Sequence, residues 1–465
     1  MLNLLDLRAR ELTARELNTL LPRAEIDVEA ALKAVEPVLA DVATRGEQAI
    51  IEWSEKFDRC RPPRLRVSQA AREEALAQLD PKVRRALEIA ITNARAGHRA
   101  QLPQPATTTI IPGGIVKQRW IPVKRVGLYV PGGLAVYPSS VVMNVVAAQV
   151  AGVESIAVAS PPQAAFDGQV HPTILAACEL LGVNEIYAMG GAQAIGAFAY
   201  GFTTSEGESC APVDVVTGPG NIYVAAAKRA VQAVCGIDAE AGTTEIAIIA
   251  DGEANPAYLA RDLISQAEHD PAAASVLITD SEELAAKVNE RITQFAAQTT
   301  HAQRVRTALS GPQSGIILTR DLQHSVEVAN TYGAEHLEIQ TRNPEEVSEQ
   351  IYNAGAIFLG PYSPVPLGDY LGGSNHVLPT GGTARYASGL NVHAFIKSVQ
   401  EVNYTRQALA QLAQPLSDLA RAEDLPAHAD AVNARASDSG ELAAETNLEG
   451  TGQSSNRATE TEVGQ

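Results

Sequence analysis

The sequence predicts an α/β protein made of two tandem Rossmann-like domains, each an incomplete doubly wound parallel sheet. From about residue 107 onward, short runs rich in Val and Ile alternate with Ala-rich segments of helical length, and Gly and Pro mark the junctions. The apolar runs are continuous, as in strands buried on both faces. No charge occurs between Arg125 and Glu154, a stretch long enough to span a bilayer. Pro131-Gly132-Gly133 and Pro138-Ser139-Ser140 cut it into strand, turn and helix, which argues for a buried βα unit instead.

Residues 1–105 read as a helical N-terminal segment, because apolar positions recur at helical spacing through 28–57 and 71–102. The first α/β domain covers 106–250, with strands expected at RVGLYV, SIAVAS, EIYAM, VDVVT and TEIAIIAD. A second set of units fills 251–360: NPAYLARDLISQAEH as helix, ASVLITD as strand, SEELAAKVNERITQFAAQ as helix, then GIILT and LEIQ as strands. Residues 361–436 open with a long Gly- and Pro-rich loop that reads as functional rather than as a spacer, and end in a small helical region. The acidic tail 437–465 has no aromatic and few aliphatic residues, and is expected to be disordered.

Across 465 residues, 54 acidic against 36 basic side chains give a net charge of −18, which repels phosphate backbones and anionic membranes. Neither nucleic acid nor a membrane is expected as a partner. The 4 cysteines form no CxxC pair and are too few for a disulfide scaffold. With no secretory signal pattern at the N-terminus, the expected location is the cytoplasm.

The 9 histidines are few for this length, and several of those in the second half stand beside carboxylates and turn residues. Gln266 and His269 are spaced i, i+3 near the end of a helix that Asp270-Pro271 stops, so both project from one face. Asp369 and His376 stand in the Gly-rich loop, and Glu423 and His428 in a later helical segment. Gln266, His269, Asp369 and His428 form a nitrogen and oxygen donor set without thiolate, which suits an open catalytic zinc, although ordinary surface polarity explains each residue taken singly. Glu335 and His336 adjoin the strand LEIQ. At a loop they supply one carboxylate and one imidazole for proton transfer; at a strand edge they are a solvated pair.

A GxGxxG fingerprint is missing. Two strand-to-helix turns stand in its place, MGGAQAIG with Gln193 and TGPGN with Asn221, where backbone N–H groups can face a pyrophosphate, and Tyr129 can line the same crevice. Tight turns that merely need positive φ would read the same way.

Taken together, VGLYVPGG, GGAQAIGAFAYG, GPGN, SQAEHD, YGAEHLEI, PLGDYLGGSNHVLPTGGTAR and LPAHADAV occur in the order seen in the histidinol dehydrogenase family, and the resemblance covers about residues 5–435. It implies two successive NAD-dependent oxidations of L-histidinol to L-histidine through a bound aldehyde, by a homodimer with one zinc per subunit. It also implies an aldehyde-dehydrogenase-like architecture. By resemblance, Gln266, His269, Asp369 and His428 are the zinc ligands, His336 the general base, and Glu335 the acid/base that activates water. His376, Glu423 and Thr244 match substrate-contacting positions, together with the ligands and His336, and Tyr129, Gln193 and Asn221 match NAD contacts.

Two departures stand out. Thr243-Thr244 replaces the family's Pro-Ser, so a hydroxyl is kept, a methyl added and a turn proline lost. The segment 202–214 is longer than usual and reads as surface decoration. An aldehyde dehydrogenase proper needs a cysteine nucleophile, and none of the four cysteines falls among these motifs. A zinc hydrolase using Glu335 fits the metal set but not the cofactor turns, and a non-catalytic descendant predicts lost site residues where all are present.

Overall fold

The computed structural model describes residues 1–24, 28–132, 136–239 and 242–436. Gly133, Ala241 and the expected disordered tail lie outside them. The chain divides into two compact units, Met1–Gln104 with Trp120–Ser398, and Pro105–Arg119 with the residues from Val399 onward.

The first unit contains two all-parallel sheets. In the five-stranded sheet the order is Gly236–Ile237, Val215–Thr217, Arg125–Tyr129, Ser155–Ser160, Glu185–Ala188. The chain winds outward from Arg125–Tyr129 to Glu185–Ala188, then returns to its other side with Val215–Thr217. The order therefore reverses between these two strands, and a crevice opens beyond their carboxyl ends, the usual place for a ligand in an open α/β sheet. Helix Pro138–Ala151, from the uncharged stretch, is buried on nearly every face. A helix apolar all round requires such a position. Among the described residues no helix is long and apolar enough to cross a membrane.

The six-stranded sheet runs Asn3–Asp6, Gly315–Leu318, Ala274–Thr279, Glu245–Ala250, His336–Gln340, Ala356–Leu359. It repeats the same winding, with the reversal between Glu245–Ala250 and His336–Gln340. Two elements differ from expectation. TEIAIIAD, expected in the first sheet, forms the wholly buried Glu245–Ala250 at the centre of the second. The first sheet instead ends on the two-residue strand Gly236–Ile237, too short to leave a hydrophobic pattern. The N-terminal leucines, expected to be helical, form the strand Asn3–Asp6, which pairs with Gly315–Leu318 at an edge and so buries little of its own surface. The helical reading does hold for Ala14–Leu20, Val28–Arg45, Glu47–Phe57, Gln69–Gln78 and Pro81–Ala100.

The insertion at 202–214 forms a small hairpin, Phe202–Thr203 against Ser209–Cys210. It is tied down rather than dangling: the Ser205 amide donates to Glu47 at 2.6 Å, and Arg64 pairs with Glu206 at 3.2 Å. In the second unit, Ala106–Ile111 pairs antiparallel with Gly114–Pro122. Helices Arg406–Ala422 and Pro426–Ala436 pack on each other, with the Ser417 hydroxyl 3.1 Å from the Asn433 side-chain oxygen.

Candidate active site

The amino ends of the two strands at the second reversal carry Glu335, His336 and Thr244. Glu335 immediately precedes His336–Gln340, and Thr244 immediately precedes Glu245–Ala250. One carboxylate oxygen of Glu335 accepts from the Thr244 hydroxyl at 2.5 Å and from the Glu245 amide at 2.9 Å. Thr244 accepts in turn from the Gln266 amide nitrogen at 2.6 Å. Helix Pro256–Ala267, which follows the central strand and runs back along the sheet, delivers Gln266 and then His269 to this same end.

Burial sets the protonation states. Glu335 is 6% exposed, and loss of solvent pushes its carboxyl up to about 8 against the two hydrogen bonds that pull it down. His336 is also buried, which lowers its pKa and favours the neutral ring. Its Nδ1 lies 3.2 Å from the Glu245 carbonyl, which can only accept, so Nδ1 carries the hydrogen and Nε2 the lone pair. That Nε2 is buried, makes no hydrogen bond among the described residues, and sits 3.7 Å from Asp369 Oδ1. The Glu245 carboxylate is held by Arg23 at 3.2 Å and by the Gly381 amide at 3.1 Å, fixing the strand that supports both groups.

Asp369 lies on helix Val365–Tyr370 of the Gly-rich segment, where burial lifts its carboxyl to about 6. His269 Nε2 is 4.0 Å from Asp369 Oδ2. His376 donates from Nδ1 to the Asp369 carbonyl at 3.0 Å and accepts at Nε2 from the Ser140 hydroxyl at 2.9 Å. Ser140 lies in the first turn of helix Pro138–Ala151, so His376 bridges the Gly-rich segment and that helix.

At the first reversal, Tyr129 is buried and its hydroxyl accepts from the Gly191 amide at 3.2 Å. Gln193 is fully buried, donates to Asp58 at 3.3 Å, and keeps an Oε1 with no partner among the described residues. Asn221 caps helix Ile222–Val231, accepting from the amides of Tyr223 at 3.0 Å and Val224 at 3.2 Å. Gly218 has φ +122°, and a Cβ there would run into the Tyr129 carbonyl oxygen, so the two chain segments approach as closely as backbones can.

The sequence profile described as histidinol dehydrogenase matches residues 21–436. The histidinol dehydrogenase of Thermobifida fusca is 59% identical over 89% of this chain and 94% of its own length. That of Corynebacterium diphtheriae is 56% identical over 94% of this chain and 97% of its own. The chain belongs to the histidinol dehydrogenase family. The crystal structure of the histidinol dehydrogenase from Elizabethkingia anophelis, 31% identical, superposes with a TM-score of 0.86 over 93% of this chain and 98% of that one.

Within this histidinol dehydrogenase fold, the first unit gathers Thr244, Gln266, Glu335, His336, Asp369 and His376 through the contacts above. Glu423 and His428 belong to the second unit, where both are exposed. Among the described residues, no three His, Cys, Asp or Glu side chains form a group able to hold a metal. What the first unit does offer is a buried Gln266 Oε1 without a partner, and the His269 and Asp369 donors at 4.0 Å. Two ligands about 2.0–2.2 Å from a shared zinc can stand that far apart, so these donors fit the ion with a further ligand still to be supplied. The orphaned Gln193 Oε1 and the close approach at Gly218 likewise fit a dinucleotide crevice.

Sequence reasoning missed Arg23, Asp58, Ser140, Glu245, Lys228 and Asp238. Only Lys228 left a signal: it shares the buried face of its helix with Val224 and Val231, a position where an unpaired charge is costly.

Proposed function

We propose that the protein oxidises L-histidinol to L-histidine in two NAD-dependent steps through the aldehyde, as a cytoplasmic homodimer with one zinc per subunit. Its relatives named histidinol dehydrogenase support the reaction. The observation that carries the reading is the pair of complementary proton carriers on one strand end, a neutral His336 with Nε2 bare and a Glu335 raised to about 8. NAD, where bound, would supply the hydride acceptor for both oxidations. Gln266, His269, Asp369 and His428 would hold zinc, which would supply a fixed electrostatic anchor for the substrate.

The chain's own groups do the rest. In the first step His336 Nε2 takes the hydroxyl proton as the alcohol carbon loses its hydride, while Nδ1–H stays on the Glu245 carbonyl and fixes the ring. The resulting aldehyde must be hydrated before a second hydride can leave. Glu335, once ionised, takes a proton from the attacking water, and Thr244 and the Glu245 amide hold its other oxygen. Asp369, His376 and Thr244 frame the substrate, with Glu423 as a further contact; Tyr129, Gln193 and Asn221 receive the dinucleotide.

Exposed Leu367 and Tyr370 flank Asp369, and exposed Leu416, Leu419 and Leu425 lie on or beside the second unit's helices. Apolar exposure of this kind suits burial against a second copy. All four cysteines are free, which suits a reducing compartment. The test is the count of NADH formed per histidine released by zinc-loaded protein, with the His336→Ala variant beside it. Two NADH per histidine, lost in the variant, is expected; one NADH, or full activity without His336, overturns the assignment.

A further inference from the structure

Lys228 and Asp238 form an ion pair in which the side chains are only 1% and 2% exposed. Removing two charges from water is expensive, and apolar residues usually serve stability as well or better. What distinguishes this pair is the group both charges share. Asp238 Oδ2 accepts from the Gly218 amide at 2.9 Å, and Lys228 Nζ donates to the Gly218 carbonyl at 3.0 Å. The Lys228 ammonium and Asp238 Oδ1 close the ring.

Gly218 thus has both its peptide groups fixed by charge-assisted bonds, the stronger kind. It is the residue just past strand Val215–Thr217, at the first reversal, with φ +122° and its backbone against Tyr129. Lys228 belongs to the helix that this turn begins, and Asp238 follows the strand Gly236–Ile237 that this helix leads into. The next residue inward, Thr217, is fixed as well, its hydroxyl donating to Asn144 at 2.7 Å.

We propose that the Lys228–Asp238 pair is a positioning device for the dinucleotide: by holding the N–H and C=O of Gly218 it sets the path of the turn 218–221 before the cofactor arrives. The inference rests on the NAD reading above and assigns the pair no contact with the cofactor. Preorganisation of this kind removes the ordering cost from binding. Its loss therefore weakens NAD specifically, and leaves binding of the histidinol-sized substrate at the second sheet unchanged.

Two double variants separate this role from simple packing. K228Q/D238N removes both charges but keeps a donor for the Gly218 carbonyl and an acceptor for its amide. K228M/D238N removes the charges and the donor. Both avoid an unpaired buried charge. The NAD dissociation constant is read by calorimetry and the KM values by steady-state kinetics, with Tm alongside. K228M/D238N is expected to bind NAD at least about tenfold more weakly with the L-histidinol KM within about twofold of wild type, and K228Q/D238N to recover most of the loss. Equal weakening in both variants, or wild-type affinity in K228M/D238N, overturns the proposal. So does wild-type protein that binds no NAD, which removes the cofactor reading with it. Should K228M/D238N fail to fold, hydrogen exchange decides in the cofactor-free wild type: a protected Gly218 amide is expected, and exchange at the rate of an open loop overturns the clamp.

Discussion

The Thr244 hydroxyl donates to Glu335 at 2.5 Å and accepts from Gln266 at 2.6 Å, so both its hydrogen-bonding directions are in use. One short side chain therefore couples the Glu335 carboxyl to the Gln266 amide, and orients the amide so that its oxygen has no partner among the described residues. The family's serine can make the same two bonds. Thr244→Ser is accordingly expected to keep kcat/KM within a few-fold. Thr244→Val has a similar shape but no hydroxyl, and is expected to lose about 1–3 kcal/mol of stability through the unpaired groups it leaves. Thermal unfolding and kcat/KM check this; wild-type kinetics in the valine variant would sink the coupling.

Glu335 gives a pH dependence whose sign is fixed by burial. Its folded pKa of about 8 lies above its ordinary 4.5, so the fold holds a proton that the unfolded chain releases. Stability from this group is present in full below 4.5 and declines as pH rises through the window up to about 8. Glu335→Gln removes that decline. Its Tm is expected to gain progressively on wild type as pH rises from 4.5 to about 8 and to keep that gain above it, while aldehyde oxidation loses roughly 10²-fold or more because the amide cannot take a proton from water. In the wild type that step climbs with pH toward about 8, and the limb vanishes in the variant. A Tm difference independent of pH would rule out the buried proton.

The sequence exposed the parts of this site that lie close together in the chain. Gln266 and His269 left a weak signal in their helical spacing, and Glu335-His336 in their adjacency to an apolar strand, a pattern that a solvated strand-edge pair shares. Pairings between distant residues left no local trace. Arg23 reaches Glu245 across 222 residues, and Ser140 reaches His376 across 236. Strands were legible where both faces are buried and illegible where they are short or at an edge, as with Gly236–Ile237 and Asn3–Asp6. The placement of Glu245–Ala250 shows the limit of reading units in order, since an apolar strand fits any parallel sheet and only its partners decide which.

The donors in the first unit predict a metal that can be removed. Dialysis against a chelator is expected to abolish turnover and added zinc to restore it, with about one zinc per chain in the active protein by elemental analysis. His269→Ala removes the imidazole nearest Asp369 and is expected to hold far less zinc at the same free concentration, with the fold intact by circular dichroism. Full zinc content in that variant would remove His269 from the ligand set.

The fourth expected ligand gives the sharpest test of assembly. His428 is exposed on the helix Pro426–Ala436, and the residues around Asp369 include the exposed Leu367 and Tyr370. If His428 serves the active site of a second copy, each site in a homodimer needs one chain's Glu335 and His336 and the other chain's His428. His336→Ala and His428→Ala homodimers are then both inactive. In a mixed dimer, one of the two sites combines both substitutions and the other neither. Coexpression with two affinity tags isolates the mixed species, whose activity is expected near half that of wild type, with half its tightly bound zinc. If His428 instead serves its own chain, every site in the mixed dimer carries one lesion, and activity stays at the level of the single variants.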